Sequence, residues 1–435
     1  MESALDQHCQ ARPSPYRWVV FGALAAAYVL VFFHRLCPSV VALDIMADLG
    51  AGPALMGLLA SAYFYPYAAM QMPAGLLADS WGPRRSVTLF FALAGVASIL
   101  FGLAWSTAVA VAARVLVGLG VAMVFVPTMK IITCWFPRGQ FALMAGLLLA
   151  LGGLGAYVAS APLAMLSAAF GWRASFVVIG LISMVVGVAI WFLVRDNPAD
   201  KGLPPAEARP CATEAPAIGL WQGAMMVLGH GRFYPLAGWF ISTGVVFFGL
   251  GGLWAGPYLA QTHGLGPADV GHVLSMMAVG MVLGSPLLSW LSDKVLRSRK
   301  AVLIGCAVGL CGLTAPLALA PADIPLWGLY LGSALLSVFC AAASGVGFIA
   351  AKELFPVEIA GTAVGLINFF PFLGGALGQP LLGWLLQRHG GRGPYAAAVY
   401  GQAFEWCLWI ALAGLFCALF CTETWGRPAP TEGDH

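Results

Sequence analysis

Apolar runs of about 20 residues, each long enough to cross roughly 30 Å of hydrocarbon as a helix, recur along the whole chain. They fall at 18–39, 57–77, 87–105, 109–134, 141–166, 175–194, 234–258, 267–290, 301–319, 325–350, 361–386 and 399–421. The pattern predicts an all-α integral membrane protein with about twelve transmembrane helices. Two runs, 57–77 and 361–386, are rich in Gly and Pro, which a membrane helix tolerates where neighbours re-satisfy the freed backbone groups. The longest polar connection, from Arg195 to Gly219, is rich in Pro and Ala. It divides the chain into an N-terminal tail (1–17), a six-helix bundle (18–194), a linker (195–231), a second six-helix bundle (232–421) and a C-terminal tail (422–435).

Composition explains why lipid must be the solvent. Of 435 residues, 60% are hydrophobic and 9% are charged, with a mean hydropathy of +0.88; an ordinary soluble domain carries about 25% charged residues. Residues 1–16 lack a basic n-region and an apolar core, so no cleavable signal peptide is expected and Trp18 begins a retained span. The ten cysteines show no metal-type spacing and mostly lie in apolar runs, so they read as packing residues without a disulfide framework. No metal or cofactor is expected, and the scattered basic residues give no nucleic-acid footprint. No nucleophile motif and no P-loop is found, so neither an enzyme nor an ATP-driven pump is expected.

Orientation follows from the 21 Lys and Arg. Three lie within spans (Arg35, Arg114 and Lys130), three in loops on one side (Arg173, Arg388 and Arg392), and the rest in segments on the other. This asymmetry places both termini in the cytoplasm of a cell membrane. Carboxylates are scarcer inside the spans: Glu405, near an end, is the one placed there. The interior is therefore net basic. A fixed positive charge with no matching acid favours an anionic ligand, and the planar fork of Arg35 suits a carboxylate or phosphate. Snorkelling to the interface is the alternative for Arg35, and more so for Lys130, one turn from a span end.

Other polar groups stand out against the apolar background. Tyr63, Tyr67 and Gln71 repeat every four residues, on one helical face, and could line a path or pack. Asn368 is a rare amide in an apolar run, either a substrate contact or interhelical glue. His34, beside Arg35, is of a residue type that titrates near neutrality and is a candidate proton carrier or a simple hydrogen-bonding group; on a helix its side chain points about 100° away from that of Arg35.

The two halves echo each other. Shifted by 219 residues, Phe136, Pro137, Gly146 and Gly155 fall on Phe355, Pro356, Gly365 and Gly374, and Asp79 with its basic pair is echoed by Asp293 with Arg299 and Lys300. Paired repeats meeting at a seam are a common transporter plan. The stretch "GLLADSWGPRR" resembles the signature loop of the major facilitator superfamily, with Gly75, Asp79, Gly82, Arg84 and Arg85 at its positions. The stretches "HRLCPSVVALDIMADLG", "SAYFYPYAAMQMPAGLLAD" and "GTAVGLINFFPFLGGALGQP" extend the resemblance over most of the chain, toward the branch of anion:cation symporters that carry organic anions and sugar acids.

That resemblance implies alternating access by two pseudo-symmetric bundles and a monomer in the plasma membrane, as in the bacterial inner membrane. It implies substrate contact by Arg35, helix packing or coupling by Arg114, and a cytoplasmic latch built on Asp79, Arg84 and Arg85. Asp293, Arg299 and Lys300 would form a second latch, weaker or differently shaped because its glycine is missing. Relatives in the branch carry acids where this chain has His34 and Val121, so the usual proton sites are absent. The expected partners are a small organic anion, a coupling proton or exchanged anion, and lipid. A proton-driven drug exporter and a transporter-like receptor are the rivals; the first would need a buried carboxylate at the seam, the second a long soluble extension.

Overall fold

The computed structural model describes residues 14–71, 73–204, 220–391 and 394–426, and among them there is no strand. The first half comprises α1 (Tyr16–Leu36), α2 (Pro38–Leu49), α3 (Pro53–Ser61), α4 (Phe64–Ala69), α5 (Pro73–Ser80), α6 (Pro83–Gly102), α7 (Thr107–Ala122), α8 (Phe125–Trp135), α9 (Arg138–Val158) and α10 (Ala161–Leu193). The second comprises α11 (Leu220–Gly229), α12 (Phe233–Gly244), α13 (Ala255–His263), α14 (Pro267–Trp290), α15 (Arg299–Leu319), α16 (Leu326–Ser337), α17 (Ala343–Glu353), α18 (Val357–Gly390) and α19 (Ala397–Phe420). Widened π-helical turns join α12 to α13 at 245–254 and α16 to α17 at 338–342.

Ten continuous stretches are long and apolar enough to cross a membrane. Two local features account for the difference from the twelve runs of the sequence. The run 57–77 is broken into α3, α4 and α5, because Pro66 and Pro73 lack the N–H that would continue each turn and disfavour a helical residue before them. Conversely, Gly139–Leu193 forms one helical stretch, yet Gly171 sits inside it at φ +81°, ψ 159°. That conformation is open to glycine and strained for other residues, and there the chain turns between its fifth and sixth crossings. Allowing for these two features, the ten stretches found among the described residues account for the twelve apolar runs of the sequence.

Residues 220–229 depart from the expected linker. They form α11, which packs on α18 with Ala224 and Val227 buried, because "LWQGAMMVLG" offers an apolar face. Residues 1–13, 205–219 and 427–435 of the tails and linker lie outside the described residues. Seven cysteines (Cys37, Cys306, Cys311, Cys340, Cys407, Cys417 and Cys421) are free thiols.

The halves meet along a seam where α18 packs on α3 and α4, α14 on α9 and α10, and α13 on α2. Small residues let the backbones approach closely. A Cβ on Gly57 would stand 2.5 Å from the Gln379 carbonyl oxygen, and one on Gly256 or Gly383 would strike the carbonyls of Ser39 and Pro53. Four hydrogen bonds cross the seam among the described residues. Ala54 N donates to Gln387 Oε1 at 3.3 Å, Gly256 N to Ser39 Oγ at 3.2 Å, Tyr65 Oη to the Ala376 carbonyl at 3.1 Å, and Asn368 Nδ2 to Gln71 Oε1 at 2.9 Å. Partners descend along α18 as they ascend through α3 and α4, as antiparallel helices require. Beyond Gln71, toward Asp79 and Asp293, no hydrogen bond or ion pair crosses among the described residues. The seam is bonded at one end and not at the other.

Candidate functional site

Arg35 lies in the last turn of α1, just before Pro38 opens α2. It is only 5% exposed, too deep to reach an interface by snorkelling. Its guanidinium carbon stands 4.5 Å from the ring centroid of Phe32, 4.8 Å from Phe372, 4.9 Å from Tyr67 and 6.0 Å from Phe248. Two of these rings belong to each half, so the cation sits on the seam. Cation–π attraction of ~0.5–2 kcal/mol per good contact offsets part of its desolvation. Among the described residues no carboxylate pairs with it, and its Nε has no partner. The face of the guanidinium is covered by rings, and the Tyr63 hydroxyl lies beside it.

The tyrosine ladder comes together despite the broken helix. Tyr63 and Tyr67 stack at 5.7 Å with their planes 14° apart, and the buried Tyr63 hydroxyl lies beside the Arg35 guanidinium. Gln71 Nε2 donates to the Tyr67 carbonyl at 3.1 Å, and its Oε1 accepts from Asn368. Tyr67 meets Phe372 at 4.5 Å, one turn above the amide bridge on both helices. Arg35, Tyr63, Tyr67, Gln71 and Asn368 therefore form one continuous cluster.

His34 and Arg114 occupy the other side of α1. The His34 ring is fully buried beside Arg114, and both ring nitrogens lack partners. Arg114 donates to the His34 carbonyl at 3.0 Å and to the Ala60 carbonyl at 3.5 Å, with its guanidinium over Tyr63 at 5.1 Å. It thus ties α7 to the ends of α1 and α3, where Gly118 packs on the Tyr63 carbonyl.

Lys130 is not in the cluster. Its ammonium bonds Asp79 Oδ1 at 2.6 Å and the Ala78 carbonyl at 3.2 Å, so the aspartate of the signature loop meets a lysine of α8 and not Arg84 or Arg85. Arg84 instead folds its guanidinium over Trp191 at 4.3 Å, while its backbone N–H donates to Asp196 Oδ1 at 2.7 Å. Burial raises the Asp196 pKa from the usual carboxylate range. Arg85 is exposed, Gly75 has open space around it, and Gly82 takes φ +84°.

The second half carries the denser charged cluster, contrary to the weaker latch anticipated as one possibility. Arg299 contacts Asp293 and grips Glu353 with Nε at 3.3 Å and Nη2 at 3.1 Å. Thr424 Oγ1 donates to Glu353 at 2.7 Å. Glu423 accepts from the Arg299 backbone N–H at 2.9 Å and from Ser298. Burial alone would raise the Glu423 pKa, but these donors, with the N–H groups of Trp425 and Thr424, lower it on balance. Lys300 is half-buried beside the cluster. Where the glycine is missing, Arg297 takes φ +48°. The residues that sequence reasoning passed over are Phe32, Phe248 and Phe372, which look like any other apolar residue, and Asp196, Glu353 and Glu423, which sit at span edges.

A helical membrane fold with a buried polar cluster on the seam of its two halves has the plan of a membrane transporter. Residues 24–256 and 239–434 match the Major Facilitator Superfamily, and the chain belongs to it. It is 27% identical over 316 residues to a probable sulfoacetate transporter, SauU, of Cupriavidus necator, covering 68% of this chain and 70% of that one. It is 26% identical over 439 residues to the hexuronate transporter of Bacillus subtilis, covering 95% and 96%. It is 23% identical over 407 residues to a probable hexose phosphate transport protein of Chlamydia trachomatis, covering 88% of each. Among solved structures, a bacterial homologue of the human lysosomal transporter Spinster, inward-facing and unoccupied, superposes with a TM-score of 0.71 at 19% identity, covering 94% and 95%. The protein is a multi-pass membrane transporter and not an enzyme.

Proposed function

We propose that this transporter moves a small organic anion, a carboxylate or sugar acid ahead of a phosphate ester, by alternating access around Arg35. The observation that carries this reading is a buried guanidinium on the seam with its Nε unpaired and, among the described residues, no acid paired with it. Bundles 18–194 and 232–421 rock as units, with Gln71 and Asn368 bridging them below the bound anion. Asp79 with Lys130, and Arg299 with Asp293 and Glu353, brace the cytoplasmic ends of their own halves. Both termini face the cytoplasm of a bacterial inner membrane, and the working unit is a monomer. Relatives named for sulfoacetate and hexuronate transport support the anionic class.

Anion exchange is the favoured mode, because the empty site would have to close and reopen around an uncompensated buried cation. A second reading, proton symport through His34, is supported by its two unpartnered ring nitrogens. Uptake into proteoliposomes separates them. Exchange requires acceleration by the same anion loaded inside and indifference to a pH gradient; symport requires the reverse, with the gradient effect abolished in His34→Gln. In either mode Arg35→Ala transports no anion. Uptake by Arg35→Ala at the wild-type rate would refute the anchor.

A further inference from the structure

We infer that the anion held at Arg35 is a monovalent carboxylate with a compact apolar body, an aromatic ring above all, and not a polyhydroxylated sugar acid. The inference rests on Arg35 being the anion anchor and narrows what it holds. Charge count comes first. Arg114 is turned to the other side of α1, onto the His34 and Ala60 carbonyls, and Lys130 pairs with Asp79, so among the described residues Arg35 is the one cation of the spans set among the seam rings.

The walls come next. Phe32, Tyr67, Phe248 and Phe372 surround the guanidinium, and Phe64 extends the aromatic surface, 4.8 Å from Phe248. A flat apolar body stacks on such faces or meets their edges. The polar inventory is short by comparison. Gln71 and Asn368 are bonded to each other, and Gln379 Nε2 donates to the Phe248 carbonyl at 3.1 Å. The polar groups near the cation are the phenols of Tyr28, Tyr63 and Tyr67 and Gln379 Oε1, which has no partner, fewer than the hydroxyls of a sugar acid need. A sugar acid would bring about four or five hydroxyls, each a donor and an acceptor, and those left unpaired lose their water without replacement.

The test is calorimetric titration of the purified full-length protein with benzoate, gluconate and benzyl alcohol, the last matching benzoate in shape without its charge. The expected result is saturable binding of benzoate alone. Phe372→Ala weakens it by about tenfold, since it removes the ring nearest the cation from the second half, and Phe372→Tyr recovers most of the loss. Should Phe372→Ala not fold, Phe248→Leu reads the same wall. Binding of gluconate as tight as that of benzoate overturns the inference and leaves the anion anchor standing. Binding of neither acid, or of benzyl alcohol as tightly as benzoate, overturns the inference and the anchor together.

Discussion

Asn368 Nδ2 donates to Gln71 Oε1 at 2.9 Å, joining the two halves one helical turn beyond the Tyr67–Phe372 ring contact. It is the last hydrogen bond across the seam before the unbonded end, so the buried Arg35 lies on its closed side. Breaking it is a condition for the cluster to open toward Asp79 and Asp293.

Removing that bridge shifts the balance toward the open arrangement. A hydrogen bond of this kind is worth ~0.5–1.5 kcal/mol net, a change of about two- to twelvefold in the equilibrium. A cysteine placed at Tyr67 as a reporter should be labelled faster by that factor from the Asp79 side in Asn368→Ala. An unchanged rate would mean that the bridge does not gate access.

The two buried arginines differ in what they do for the empty protein. Arg114 donates to two buried backbone carbonyls, one of which also accepts from Cys37 Sγ at 3.5 Å, so Arg114→Ala should cost about 1–3 kcal/mol and lower Tm by several degrees. Arg35 satisfies no acceptor among the described residues, and its charge is uncompensated. Arg35→Ala should leave Tm of the ligand-free protein unchanged or raise it. An equal loss in both variants would make Arg35 a structural residue.

Arg297, at φ +48°, stands where the second signature loop lacks its glycine. A side chain in the left-handed region costs roughly 1–2 kcal/mol, and Arg297→Gly relieves that cost while adding unfolded-state freedom. The net prediction is a Tm equal to or above that of the wild type, measured by thermal unfolding in detergent. A clear fall would show that the Arg297 side chain stabilises the loop.

Glu423 has a folded-state pKa below its usual value because Ser298 and three backbone N–H groups donate to its carboxylate. A depressed carboxylate pKa contributes stability above the unfolded value, near 4.5, and that stability is lost as pH falls through the folded value. Glu423→Gln should therefore lower Tm at pH 7, and the gap to the wild type should narrow as pH is taken below about 4.5. A gap independent of pH would mean that charge is not the source.

The sequence made the spans legible because each apolar run must match the hydrocarbon thickness. It made Arg35, Tyr63, Tyr67, Gln71 and Asn368 legible because polar groups in such runs are costly and few. It did not reveal the break of 57–77 into three short helices, which depends on how neighbours satisfy the groups freed by Pro66 and Pro73. Nor did it reveal the rings around the cation: a phenylalanine in an apolar run carries no mark of facing an arginine. Lys130 was ambiguous for a physical reason, since a lysine one turn from a span end can reach inward or out, and here its ammonium reaches Asp79.

The most direct test of the central claim is thermal stabilisation of the purified protein across a panel of organic anions, lipophilic cations and neutral sugars, with Arg35→Ala alongside. The account predicts that an anion raises Tm of the wild type and leaves Arg35→Ala unmoved. Stabilisation by lipophilic cations alone, or an equal anion response in Arg35→Ala, would contradict it.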